Sequence, residues 1–148
     1  MSVKSRLKDD MKQAMRSGDK ARLGVVRMAL AAIQQREVDE RAELDDAAVL
    51  GVIEKMVKQR RESVEQYRAG GRDDLADKEA AEIALLSGYL PEPLSESELS
   101  AMIDAAIAET GAASMKDMGR VMALLRGRAQ GRADMAALSA QVKSRLNN

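Results

Sequence analysis

Residues 55–91 read KMVKQRRESVEQYRAGGRDDLADKEAAEIALLSGYLP, and the fold turns on them. A basic helical stretch comes first, then Gly70-Gly71, then an acidic helical stretch, then a Tyr89-Leu90-Pro91 stop. Before the glycines, Val49, Val52, Ile53, Met56, Val57, Val64 and Tyr67 recur at helical spacing. After them, Leu75, Ile83, Leu86 and Leu90 do the same. Glycine ends a helix readily because it reaches the left-handed conformation at no steric cost. Proline ends the second stretch because it lacks an N–H and disfavours helix in the residue before it. The stretch predicts two helices joined by a tight turn.

The same periodicity extends in both directions. Val3, Leu7, Met11 and Ala14 mark a first helix, interrupted at Ser17-Gly18-Asp19. Leu23, Val26, Leu30 and Ile33 mark a second. Its far end, EVDERAELDD at 37–46, is charged and has no apolar face, so frayed helix or loop is expected there. Asp45 or Asp46 suits the N-cap of the next helix. Pro91-Glu92-Pro93 reads as a linker. Beyond it, Ser95-x-x-Glu98 is a capping box ahead of Leu99, Met102, Ile103 and Ile107. Gly111 closes that helix. Ser114 and Asp117 suit the start of the next, with Met118, Val121, Met122 and Leu125 inward. Gly131 ends it, and Asp134 caps a last helix carrying Leu138, Val142 and Leu146. The expectation is an all-α protein, with an N-terminal bundle of about four helices over 1–92. A small C-terminal three-helix unit follows over 93–148.

Composition narrows the chemistry. The 148 residues carry 24 basic and 24 acidic side chains. There are two Tyr, no Phe and no Trp, and ten Met, so the core must be built from Leu, Ile, Val, Ala and Met. Without Cys there is no thiolate nucleophile and no disulfide. Without His there is no imidazole base and no His-ligated zinc. No apolar run reaches the length needed to span a bilayer. The opening MSVKSRLKDDMKQAM is amphipathic and lacks a signal peptide's apolar centre. These features are read as a soluble, cytoplasmic protein without a membrane partner.

Two groups of bases stand out as candidate RNA contacts. Lys55, Lys58, Arg61, Arg68 and Arg72 crowd around the third helix. Arg120, Arg126, Arg128 and Arg132 belong to a C-terminal run, 118–148, in which six bases face one acid. The preceding run, 91–117, holds six acids and one base. Basic clusters suit phosphate, and arginine offers it paired donors. Glu54, Glu62 and Glu65, however, sit at intrahelical pairing distance from the first group. No aromatic residues interleave with the bases, which disfavours reading single-stranded bases by stacking. The acids Asp73, Asp74, Asp77, Glu79 and Glu82 are best read as helix-start and ion-pair residues. No glycine pattern matches a phosphate loop. No catalytic residue, metal ligand or cofactor is assigned.

The motifs carry a resemblance to a known family. KQRRESVEQYRAGGRDDLADKEAAEI at 58–83 with the Tyr-Leu-Pro stop resembles the central signature of the GatB/YqeY-domain proteins. GAASMKDMGRVMALL at 111–125, QGRAD at 130–134 and RLKDDMKQAMRSGDKARLGVVRMALAAI at 6–33 are similar to further parts of it. The resemblance implies a two-part helical protein. It also implies kinship with the tail of the GatB subunit of glutamine-dependent aspartyl/glutamyl-tRNA amidotransferase. That tail helps hold tRNA while the chemistry occurs elsewhere. The implied function is a noncatalytic, tRNA-associated binding module. The alternatives are an adapter docking onto a tRNA-related enzyme, and a carbon–nitrogen ligase with glutamine as amido donor. Among the signature positions, Tyr67 and Tyr89 are expected to anchor helices, and Arg61 to brace against Glu79 or Glu82. Met135-Ala136 departs from the pattern, where a glycine and a more polar turn are expected.

Overall fold

Helix ends are set locally, and the side chains that set them are visible in the sequence. The computed structural model describes residues 2–147. It contains α1 (Val3–Ser17), α2 (Lys20–Glu40), α3 (Asp46–Ala69), α4 (Asp73–Ser87), α5 (Glu96–Thr110), α6 (Met118–Ala129) and α7 (Met135–Leu146). One 3₁₀ turn, Met115–Asp117, precedes α6, and no strand occurs among the described residues. Ser2, Asp19, Asp45, Ser95 and Asp134 each accept a hydrogen bond from a free N–H in the first turn of α1, α2, α3, α5 and α7. At Ser95 the capping box with Glu98 is complete. Between α3 and α4 the left-handed residue is Gly71, with φ 74°, while Gly70 keeps a negative φ.

The chain forms two compact units, residues 2–90 and 91–147. In the first, α1 to α4 bury one core: Leu7, Val25, Val26, Ala29, Ile33, Val49, Ile53, Val57 and Leu86 are almost fully enclosed. These residues are aliphatic, as the shortage of aromatics requires. In the second, α5, α6 and α7 enclose Ile103, Ala106, Val121, Leu125, Ala129, Leu138 and Val142. The all-helical class, with four helices followed by three, is as the periodicity predicts.

The charged segment 37–46 differs from its expectation. Helix α2 runs through it as far as Glu40. Glu37 explains this. Its carboxylate binds Lys4 Nζ of α1 at 2.9 Å and accepts from the Leu44 backbone N–H at 2.9 Å. These bonds, the backbone one foremost, hold the Glu37 carboxyl below the usual carboxylate range. Asp45 is the cap of α3, and Asp46 instead accepts from the Val3 N–H. The last turn of α2 is therefore held by polar contacts from α1 and the following loop. A search for an apolar face cannot detect that.

Tyr89 closes the first unit. It is 6% exposed, its hydroxyl donates to Asp10 of α1, and Arg6 lies over its ring at 5.0 Å. Burial, and then the Asp10 carboxylate, push its phenol up to about 12 from the ordinary 10. The folded state thus keeps a proton that the unfolded chain releases, so stability falls as pH rises from about 10 towards 12. Tyr89→Phe removes the hydroxyl and with it this slope. Urea melts are expected to show a loss of about 1 kcal/mol at neutral pH. Between pH 10 and 12 the gap between variant and wild type should narrow.

Candidate functional site

Helix α3 carries its charges at three depths, and depth decides what each can do. Arg60 is the innermost. Its side chain is 13% exposed, its Nε donates to Glu82 Oε2 of α4 at 3.2 Å, and Glu79 lies 4.0 Å away. Its other nitrogens reach the Met56 carbonyl at 3.3 Å and Met28 Sδ of α2 at 3.6 Å. Arg60 therefore touches three helices of the bundle. The brace expected at Arg61 is formed by Arg60, and Arg61 is exposed. One residue turns a helix by about 100°, enough to move a side chain from the seam to water.

At the α3–α4 turn a second layer forms. Arg68 meets Asp77 at 3.1 Å and Asp73 at 3.7 Å, and Arg72 pairs in a fork with Asp74 at 3.1 Å. Arg72 raises its own affinity for a proton through that pair and holds the Asp74 carboxyl below its usual range. All five acids of the acidic stretch are thus engaged by Arg60, Arg68 and Arg72. They serve the hairpin, as their helical spacing suggests.

The outermost layer is different. Lys55, Lys58 and Arg61 are exposed, and among the described residues none of them has an ion-pair partner. They lie three residues apart, along one side of the helix away from its buried residues Val49, Val52, Ile53, Met56 and Val57.

In the second unit the basic and acidic runs fold onto each other. Arg128 forks onto Glu109, with one arm at 3.1 Å. Arg120 pairs with Asp117 three residues earlier. Arg145 reaches Asp104 at 2.7 Å and the Ser100 carbonyl at 3.0 Å. Arg132 lies 3.9 Å from Glu98 and donates to the Glu92 carbonyl at 3.0 Å. Of the C-terminal candidates only Arg126 is exposed without a partner among the described residues. The nine sequence candidates thus separate into five that are paired, namely Arg68, Arg72, Arg120, Arg128 and Arg132, and four that are not. Tyr89 fulfils the anchoring role expected of it, whereas Tyr67 is half-buried. Among the described residues no three acidic side chains converge as a metal cage would require. Two shallow surface clefts lie beside the α2–α3 loop, lined by residues such as Lys4, Glu37 and Glu43.

Comparison with known proteins places this architecture. Residues 4–146 match the family described as Yqey-like protein. The chain belongs to that family. It is 36% identical over 132 residues to the altered inheritance of mitochondria protein 41, mitochondrial, of Pyrenophora tritici-repentis, covering 86% of this chain and 73% of the relative. It is 40% identical over 107 residues to the protein of the same name from Eremothecium gossypii, covering 70% and 58%. A Saccharomyces cerevisiae relative of that name is 31% identical over 96 residues, covering 64% and 52%. For the latter two, the chain spans little more than half the relative's length. These relatives are mitochondrial by name, which overturns the cytoplasmic location expected from the sequence. The physical reason is simple. No helix here is long and apolar enough to cross a membrane, but that property is shared by proteins of every aqueous compartment.

Two measurements test this charge layering. Arg60→Ala leaves Glu82 and Glu79 half-buried without their cation and should cost about 2 kcal/mol in chemical denaturation. Arg61→Ala should stay within about 0.5 kcal/mol of wild type. The second concerns acid. Ser95 holds the Glu98 carboxyl below its usual range, Arg128 does so for Glu109, and the Ala113 N–H and Arg120 do so for Asp117. Depressed carboxyls stabilise the fold above their ordinary range, and that stability is lost as pH falls through the lowered values. Residue-resolved NMR should therefore show the second unit weakening as pH drops below about 4, and Glu109→Gln should flatten that dependence.

Proposed function

We propose that this chain is a noncatalytic module that grips folded RNA, tRNA foremost, through its phosphates rather than its bases. One observation carries the reading: Lys55, Lys58 and Arg61 line the outer side of α3, and no acid among the described residues holds them. A paired arginine must give up its carboxylate before it meets a phosphate, whereas an unpaired one only sheds water and counterions. The three are also close enough to follow one strand of backbone. Arg126 of α6 supplies a further exposed cation in the second unit, without an ion-pair partner among the described residues. The absence of Phe and Trp supports backbone and shape recognition over base stacking. The resemblance to the tail of GatB, which helps hold tRNA, supports the same reading.

A gel shift with tRNA across a salt series tests it. Each phosphate contact contributes roughly 0.9 to the slope of log affinity against log salt on a duplex. Replacing Lys55, Lys58 and Arg61 together by Gln should lower that slope by about 2 to 3. Replacing the paired Arg68 and Arg72 by Gln should leave it nearly unchanged. No shift at low salt, or the same slope in the triple variant, would reject phosphate contact at α3. A partner protein captured through the same face after nuclease treatment would favour the adapter reading instead.

A further inference from the structure

The outer face of the hairpin formed by α1 and α2 carries a second concentration of unmatched bases. In α1, Lys4, Lys8, Lys12 and Arg16 stand four residues apart, so they form one ridge that turns by about 40° per step. In α2, Lys20, Arg27 and Gln34 stand seven residues apart and form one stripe. The turn at Gly18, with φ 73°, sends α2 back along α1. Lys4, Gln34 and Val38 line one shallow cleft, so ridge and stripe begin on the same face and run from there towards the turn. Lys8, Lys12, Arg16, Lys20 and Arg27 are exposed, and among the described residues none of them has an ion-pair partner. Gly24, Ala31 and Gln34 are exposed on α2 and add no charge.

The acids close to these rows are already engaged. Glu37 is held by Lys4 and by the Leu44 N–H, Asp10 accepts from the Tyr89 hydroxyl, and Asp19 accepts from the Arg22 N–H that it caps. Asp9, an exposed acid of α1, is the exception. Helix α1 has no acid in its first turn, where the helix dipole favours one, and like charges four residues apart repel along it. The folded chain therefore bears a repulsion that Asp9 offsets only in part, and an anion from outside would relieve it. The ridge advances about 6 Å per step, the order of the spacing between neighbouring phosphates on a nucleic-acid strand. Packed helices set the α2 stripe about 8–10 Å to one side. We propose that the outer face of the α1–α2 hairpin is a second phosphate-binding surface of the first unit, built by Lys8, Lys12, Arg16, Lys20 and Arg27, and that it takes the backbone of a structured RNA. This inference rests on the RNA-binding reading above and adds a second set of contacts to those of α3. The small residues Gly24 and Ala31 let a phosphate backbone come close to α2.

A gel shift with tRNA across a salt series, run on the full chain, tests this surface. Replacing Lys8, Lys12 and Arg16 together by Gln should lower the slope of log affinity against log salt by about 2 to 3. Lys20→Gln combined with Arg27→Gln should lower it by about 2. Replacing Lys78, Lys116 and Lys143 by Gln removes three charges from scattered exposed positions and should change the slope by less than about 1. An α1 triple variant that keeps the wild-type slope, while the α3 triple variant loses it, overturns this inference and leaves the RNA-binding reading standing. No shift with the wild-type protein ends both. Equal losses in the α1 and scattered variants would mean general attraction without a defined surface, and would overturn it too. Loss of binding to vesicles of anionic phospholipid, with tRNA binding intact in the α1 variant, would assign the face to a lipid surface instead. Urea melts give a readout independent of RNA. Because the bases of the ridge repel one another, the α1 triple variant should unfold at the wild-type midpoint or above it. A lower midpoint would mean that the ridge serves the fold, and would overturn the proposal.

Discussion

Arg60, held between α3 and α4 by Glu82 and Glu79, is the contact on which the rest of the first unit depends. Apolar faces attract without direction, so two aliphatic helices can slide along each other at little cost. A guanidinium at 13% exposure cannot slide. Its donors must meet carboxylates, because leaving them unpaired inside the bundle costs far more than the pair returns. Once Arg60 sits against Glu82, the position of α4 along α3 is set. Arg68 of α3 then falls opposite Asp77 and Asp73 at the turn, while Arg72 and Asp74 pair locally, two residues apart. The same register leaves Lys55, Lys58 and Arg61 outside, with no acid of α4 in reach. One seam therefore arranges the core and selects the cations on the surface.

The second unit applies the same economy differently. Its sequence is divided into an acidic half and a basic half, and read linearly the basic half resembles a nucleic-acid patch. Folding brings the halves together as Arg128 meets Glu109, Arg145 meets Asp104 and Arg132 meets Glu98. Such exposed pairs add little stability individually. Their larger effect is on the field outside: each paired arginine is screened by its own carboxylate. The positive surplus of 118–147 is thereby largely cancelled.

Membership of the Yqey-like family agrees with both units, because the match runs from residue 4 to residue 146 and takes in all seven helices. The relatives' names speak of mitochondrial inheritance and not of a reaction. Asp73, Asp74, Asp77, Glu79 and Glu82 are matched to arginines, and the phenol of Tyr89 is held protonated far above neutral pH. The outer side of α3 is exposed, and among the described residues its bases Lys55, Lys58 and Arg61 have no ion-pair partner.

Much of the architecture was readable in the residues. The caps at Asp19, Asp45, Ser95 and Asp134, the Gly70-Gly71 break and the Pro91 stop all act within about four residues of the backbone they satisfy. Helix number and most limits followed from these and from apolar spacing, whereas the last turn of α2 and the 3₁₀ turn ahead of α6 did not. Even Arg60 left a trace, since Ile53, Met56, Arg60, Val64 and Tyr67 keep one three-and-four spacing, and an arginine in that row asks for buried acids. Only the tertiary structure decided which acids those were, and which bases were left over. The pairs Arg60–Glu82, Arg128–Glu109 and Arg145–Asp104 join residues 22, 19 and 41 apart. Helix periodicity repeats every 3.6 residues and carries no record of what a neighbouring helix will bring alongside. Charge at a position is a property of the sequence, whereas an unmatched charge exists only once the helices have packed.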